Sequence, residues 1–427
     1  MQDDSMPSPA PQTDGPLAPL RFREFRLFWI GHFISRIGDS MQQTAISWLL
    51  YDLTRSPLQL GLNGAFRALP LVAFGLFGGT IADRFDRRRI LLCTQTTLMF
   101  LASLLGLLAQ TGRIQVWHIY AITFVAATIQ SVDAPTRQAL VPSLVPRPIL
   151  PNAIALNSLL WKGTILLGPA LAGIAISTVG TDGAFYANGA SFLAVVLALI
   201  SMRISSSGAL RTGGFLRDLW GGLSYVRSQR IILAIMLMEA FSSLFGLDSA
   251  MLTIFARDIL HAGAAGLGFL QSSRGLGAVL GSGLLVTIGN KRAQGKIVLY
   301  AAVVYGMSFS LFGISQHMLL SLLLIFVAGA ADTIWGAVRN TILQLKTPKE
   351  LQGRAMGVFG LCSRGLSPLG QVETGLLVPL VGAREATFLG GSIVLCVSLL
   401  TAWRVPDIHR FRGHEAEPAE PPEVRIE

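Results

Sequence analysis

Twelve stretches of predominantly apolar residues follow one another along this chain, and they decide its fold class before any motif is read. They fall near residues 27–50, 58–80, 90–110, 116–138, 152–177, 183–202, 230–254, 265–288, 297–314, 318–343, 355–378 and 384–403. Roughly 20 such residues, coiled as a helix, cross the hydrocarbon core of a bilayer. Only 14% of the 427 residues are charged, where a soluble domain carries about 25%. The expectation is an all-α integral membrane protein of twelve transmembrane helices, not a soluble enzyme.

The placement of lysine and arginine orients these spans, because cytoplasmic loops carry the excess of both. With the N-terminus inside, the segments on that side hold 23 of the 34 basic residues, and the opposite loops hold four: Arg55, Arg113, Arg257 and Arg384. Both termini are therefore expected in the cytoplasm. The formal charge of +10 reads as a topology signal, and no nucleic-acid partner is expected. Residues 1–20 are rich in Pro, Asp and Ser, lack the apolar core of a cleavable signal peptide and read as a disordered cytoplasmic tail. Residues 405–427, with Pro418, Pro421 and Pro422 among glutamates, read as a second one. Cys93, Cys362 and Cys396 show neither metal spacing nor a disulfide framework, so neither metal nor cofactor is expected.

Residues 204–229 interrupt the pattern with linker chemistry, Ser205-Ser206-Ser207-Gly208 and Gly213-Gly214, followed by amphipathic spacing over 215–226. The chain divides accordingly into a six-helix bundle over 21–203, a cytoplasmic linker, and a second bundle over 230–404. The halves repeat at an offset of about 202 residues: Arg137, Pro146, Ala153, Gly168 and Gly173 align with Arg339, Pro348, Ala355, Gly370 and Gly375. Two similar halves around a midplane site form a recurring transporter architecture.

Charges inside the spans are costly, roughly 2.5–3.5 kcal/mol each on insertion scales, so they are expected to face the bundle interior. Arg36 and Asp39 share span one at i, i+3 and either neutralise one another or serve transport. Arg67 lies about 15 Å along span two, near mid-membrane. Lys162, Glu239, Arg274, Asp332 and Arg364 occupy spans five, seven, eight, ten and eleven. Arg67, Arg274 and Arg364 read as cavity groups that meet acidic substrate atoms or a proton carrier. Asp248 and Glu373 lie nearer the outer ends and read as gate or surface groups.

Between spans two and three the sequence reads Gly79-Thr80-Ile81-Ala82-Asp83-Arg84-Phe85-Asp86-Arg87-Arg88-Arg89. The spacing resembles the loop 2–3 signature of the major facilitator superfamily, matched at Gly79, Asp83, Arg84, Arg87 and Arg88, with Asp86 in place of a second glycine. Asp133 and Arg137, at i, i+4 near the inner end of span four, stand where that superfamily pairs an acid and a base with the loop arginines and Asp83. The resemblance makes this group a latch for the cytoplasmic ends. Gly168-Pro169-Ala170-Leu171-Ala172-Gly173 in span five resembles an antiporter motif, with Ala172 replacing a glycine, and implies a helix bend. Trp48-Leu49-Leu50-Tyr51-Asp52-Leu53-Thr54, Phe66-Arg67-Ala68-Leu69-Pro70 and Asp133-Ala134-Pro135-Thr136-Arg137-Gln138 resemble the drug:proton antiporter group that contains macrolide efflux pumps and the enterobactin exporter.

That resemblance implies a monomeric exporter of an amphiphilic small molecule in the bacterial cytoplasmic membrane, driven by protons through alternating access. It places Glu239 and Asp332 on cavity-lining helices and makes Asp39 the cheapest proton carrier. An ATP-driven pump is disfavoured because no Gly-x-x-x-x-Gly-Lys-Ser/Thr stretch occurs in the sequence. A nutrient importer and a lysophospholipid flippase of the same fold, and a non-transporting membrane partner or sensor, are the rival readings.

Overall fold

A computed structural model describes residues 15–202, 223–288 and 294–411, and all the regular structure among them is helical. Most of the first tail, most of the linker and the end of the second tail lie outside the described residues. The first helix, α1 (Arg23–Thr54), ends at Arg55, whose φ of 51° is left-handed. Two residues later α2 (Pro57–Arg84) begins with proline in its first turn, where the missing N–H costs nothing. Asp86 then caps α3 (Arg87–Gln110), its carboxylate accepting from the Arg88 backbone N–H at 2.9 Å. The aspartate that replaces a glycine in the loop signature is thus an N-cap, a position aspartate favours. After α4 (Val116–Leu144), one helical trace runs Leu150–Ser201 and is broken at Gly180, where φ 85°, ψ 174° leaves the helical region. It comprises two spans, α5 (150–179) and α6 (181–201).

The second half repeats the plan with α7 (Arg230–Ile259), α8 (Gly263–Ile288), α9 (Gln294–Ile314), α10 (Met318–Lys346), α11 (349–381) and α12 (Ala383–Arg404). Several helices outrun their hydropathy limits. The fourth continues to Leu144 and the eleventh starts at Lys349, because a helix persists past the apolar layer where water satisfies its end. Two of the spans are not continuous. The α7 helix stops at Phe245, restarts at Ser249 with Asp248 as cap, and finishes in a π-turn over Phe255–Ile259. A second π-turn, Leu361–Gly365, interrupts α11. Such breaks recur at functional sites.

The twofold repeat is visible in packing. Gly168 on α5 faces Ser40 on α1, and its counterpart Gly370 on α11 faces Ser243 on α7. The halves meet along two helix pairs. Between α5 and α8, a Cβ on Gly268 would stand 2.6 Å from the Pro169 carbonyl oxygen. Between α2 and α11, a Cβ on Gly375 would stand 2.8 Å from the Gly61 Cα. Backbone touches backbone there, the close approach that small residues permit in lipid. Pro169 and Gly173 thus sit on the seam between halves, and Gly168 on the same helix packs against α1.

This seam is testable. Gly268→Leu is expected to cost about 1–3 kcal/mol through overpacking and to lower the unfolding temperature of the detergent-solubilised protein. Gly283→Leu on the same helix, where a Cβ meets nothing within 4 Å, leaves that temperature unchanged. Equal behaviour of the two variants would contradict the packing described.

Candidate transport site

Between the halves lies a polar cavity with about 570 Å³ of space, open to solvent. Gln42, Gln43, Asn63, Arg67, Thr123 and Gln130 form its wall in the first half, and Ser249 and Gln371 contribute from the second. The wall is pre-set by hydrogen bonds. Asn188 on α6 donates to Gln42 at 2.7 Å, Thr123 donates to Asn63 at 3.1 Å, and Gln371 donates to Ser249 at 3.3 Å. Arg67 donates to Gln43 Oε1 at 3.0 Å.

One turn along α1 from this wall, Arg36 pairs with Asp39 at 3.4 Å. The Arg36 guanidinium also stacks 3.8 Å from the ring of Trp161 on α5, a cation–π contact of the desolvated kind. Toward the end of the bundle that carries residue 23, Asp133 is fully buried and ion-paired with Arg137. Asp133 further accepts from Thr94 at 2.8 Å and Gln95 at 2.7 Å. Arg137 also lies 2.9 Å from His32 Nδ1 on α1. Arginine is only a donor, so Nδ1 accepts and the imidazole proton sits on Nε2. Lys162 reaches Ser282 across the α5–α8 seam.

In the second half, Glu239 on α7 and Arg339 on α10 form a buried ion pair. Arg339 lies between two aromatic rings, 5.2 Å from Trp335 and 4.7 Å from Phe359. It stands at the pseudo-equivalent of Arg137, so both halves place an arginine of the fourth helix against the first. Arg274 pairs with Asp332 at 3.3 Å and donates to the Leu247 carbonyl at 3.1 Å, a backbone oxygen freed by the break in α7. Asp248 caps the restarted helix and accepts from Thr374 on α11 at 2.6 Å. It is a structural cap inside the bundle as well as a group near one end.

Of the expected latch the structure describes Arg87, Arg88, Asp133 and Arg137. Gly79, Asp83 and Arg84 fall on the last turns of α2 and Arg364 in the π-turn of α11, but their side chains and surroundings are outside what the structure describes. Arg87 donates to the Ala139 carbonyl at 2.9 Å. Arg88 donates to Leu199 and Ile200 carbonyls at 2.7 and 2.9 Å, at the C-terminus of α6 where a helix favours cations. Among the described contacts, Asp133 meets Thr94, Gln95 and Arg137. At the opposite end of the molecule the structure supplies a closure between halves that the motifs do not announce. Tyr51 donates to Asp258, and Arg257 pairs with Asp52 while lying 5.0 Å from the Trp48 ring.

Sequence reasoning finds the charges and misses the amides. Adjacent Gln42 and Gln43 in an apolar span are a readable signal, as is the stop-and-cap run Gly246-Leu247-Asp248-Ser249. The contacts of Tyr51, Asp52, Arg257 and Asp258 have no signal, because their partners lie about two hundred residues away.

Twelve spans in two similar bundles around a polar cavity define a secondary transporter, a multi-pass membrane protein that takes a small-molecule substrate. A family model described as "Transmembrane secretion effector" matches residues 14–426, and the chain belongs to that family of the major facilitator superfamily. Among curated relatives it is similar to macrolide efflux protein A of Streptococcus pyogenes, at 22% identity over 88% of this chain and 95% of that one. It resembles the enterobactin exporter EntS of Citrobacter koseri at 23% identity, covering 91% and 93%. The multidrug efflux pump Tap of Mycolicibacterium fortuitum shares 21%, covering 88% and 93%. Among solved structures, a POT family transporter in complex with a thioalcohol-conjugated peptide superposes with a TM-score of 0.72 at 14% identity over 90% and 96% of the two chains. A bacterial homologue of ferroportin gives 0.66 at 15% over 91% and 99%. The structural likenesses are likenesses of fold.

The Glu239–Arg339 pair yields a stability test. Arg339→Met strands a buried carboxylate and is expected to destabilise by about 3–5 kcal/mol. Adding Glu239→Leu to that variant restores most of the loss. The check is unfolding in detergent of both single variants and the double. A double variant no more stable than Arg339→Met would contradict the pairing.

Proposed function

We propose that this protein exports an amphiphilic small molecule across the bacterial cytoplasmic membrane by alternating access, in exchange for protons. The observation that carries the reading is the Arg36–Asp39 pair at the middle of α1, one helical turn from the polar wall between the halves. Support for the outward direction comes from relatives named for macrolide efflux, enterobactin export and multidrug efflux. The bias of 23 basic residues against four supports cytoplasmic termini. In that orientation the Tyr51–Asp258 and Asp52–Arg257 closure is the outer gate, and the cavity opens to the cytoplasm.

Asp39 then has two states. Ionised, it holds Arg36 against Trp161. Protonated, it loses the charge that holds the pair, and Arg36 is freed toward the cavity. A proton entering down the membrane potential supplies about 2.3 kcal/mol per 100 mV, enough for more than a tenfold gradient of a neutral substrate at 100 mV. Asp83, Arg84, Arg87 and Arg88, with Asp133 and Arg137, are assigned to holding the cytoplasmic ends. Arg274, Asp332 and Glu239, paired within the second bundle and not among the residues that line the cavity, are assigned as further proton or substrate groups of that half. Residues 21–203 and 230–404 act as the two rocking bodies.

The test uses inside-out vesicles with an imposed pH gradient and a fluorescent gradient reporter. Substrate-dependent collapse of the gradient is expected with the native protein and lost in Asp39→Asn, which still binds substrate; Asp39→Glu retains part of it. Proton-coupled export by Asp39→Asn would overturn the assignment.

A further inference from the structure

We infer that the substrate of this cavity is an organic anion, held through its acidic group by Arg67 and Gln43, and not a lipophilic cation. This rests on the transport reading above and narrows it.

The wall of the cavity carries one charged side chain among the described residues, and it is Arg67. The other described arginines within the spans are matched. Arg36 has Asp39, Arg137 has Asp133, Arg274 has Asp332, and Arg339 has Glu239. Lys162 ends on the Ser282 hydroxyl in the α5–α8 seam, away from the cavity wall. Arg67 has no carboxylate within 4.0 Å among the described residues; its contact is the neutral oxygen of Gln43. Among the described side chains within the spans of the first bundle, Asp39 and Asp133 are taken by Arg36 and Arg137, which leaves Arg67 and Lys162 without a carboxylate, and of these two Arg67 faces the cavity. Nor does Asp248, beside Ser249, complete the pair, since its carboxylate caps a helix and accepts from Thr374.

Hydrogen-bond polarity points the same way. A guanidinium only donates, so the end of Gln43 that meets it is the carbonyl oxygen. The amide nitrogen of Gln43 is therefore the end left for a ligand. Asn188 likewise engages the oxygen of Gln42 and Thr123 the oxygen of Asn63, which leaves their amide nitrogens as donors. A wall with a permanent cation and several N–H donors matches a carboxylate, phenolate or phosphate, and charge-assisted hydrogen bonds to such groups are the strong ones. A cationic amine meets like charge and finds no acid on that wall. The apolar remainder of the wall, Ile46, Ile122, Ala126 and Ala127, suits the carbon body of an amphiphile.

The inference also makes transport electrogenic. An anion leaving and a proton entering both move charge in the direction the interior-negative potential favours.

The test is a matched set of one amphiphilic coumarin carrying a carboxylate, its methyl ester, or a tertiary-amine amide. Binding is measured with the full chain in lipid nanodiscs, and transport separately in inside-out vesicles. The carboxylate is expected to bind at least tenfold more tightly than the other two. Arg67→Gln abolishes that preference, and Arg67→Lys retains it, which separates loss of charge from loss of fold. Equal or tighter binding of the amine or the ester by the native protein would overturn the inference, as would a preserved carboxylate preference in Arg67→Gln. Preferential binding of the carboxylate without transport of any of the three leaves the inference standing and removes the export reading.

Discussion

The backbone contact along α5–α8 and α2–α11 is the constraint on which the rest of the molecule depends. At Gly268 and Gly375 the opposing main chain is so near that no side chain fits. Two bundles joined by such seams have little side-chain interlock to unmake when they rotate, and lipid offers no hydrophobic drive to hold them together. In the alternating access proposed above the seam is the hinge line, and other contacts decide which end of it is closed. Here the closed end is that of Tyr51, Asp52, Arg257 and Asp258. The π-turn over Phe255–Ile259 carries Arg257 and Asp258 at this end.

The two halves use one scaffold for different chemistry. Each sets an arginine from its fourth helix against its first helix, at Arg137 and Arg339. In the first half the arginine meets an imidazole and keeps its acid on its own helix, whereas in the second it meets Glu239 across helices. The first half consequently keeps a cation, Arg67, exposed to the cavity. In the second half Arg274 and Arg339, the arginines deep in the bundle, are held by Asp332 and Glu239.

Much of this is written locally in the sequence. Apolar runs of span length, and glycines repeated at an offset of about 202 residues, are local signals, and both the helices and the equivalent packing of Gly168 and Gly370 follow from them. The Arg36–Asp39 and Asp133–Arg137 pairs were legible because i, i+3 and i, i+4 residues share a helix face. The Glu239–Arg339 and Arg274–Asp332 partners are readable singly but not as pairs, since their meeting depends on how helices are arranged. Hydropathy places helix ends short of where they fall at Leu144 and Lys349 because it measures lipid contact and not backbone conformation. The cavity amides were overlooked because an amide in an apolar span changes hydropathy little, although its cost in lipid requires a partner or a cavity.

The central claim is that two rigid bundles rock about the glycine seams and open the end closed by the Asp52–Arg257 and Tyr51–Asp258 contacts. The most direct measurement is the distance between spin labels at Leu53 and Leu319, exposed positions at that end of opposite halves, with Cys93, Cys362 and Cys396 replaced. The account requires one short distance at rest and a second, longer population when a pH gradient and substrate are supplied, enriched by Arg257→Ala. A single unchanged distance in a protein that is transporting would contradict it.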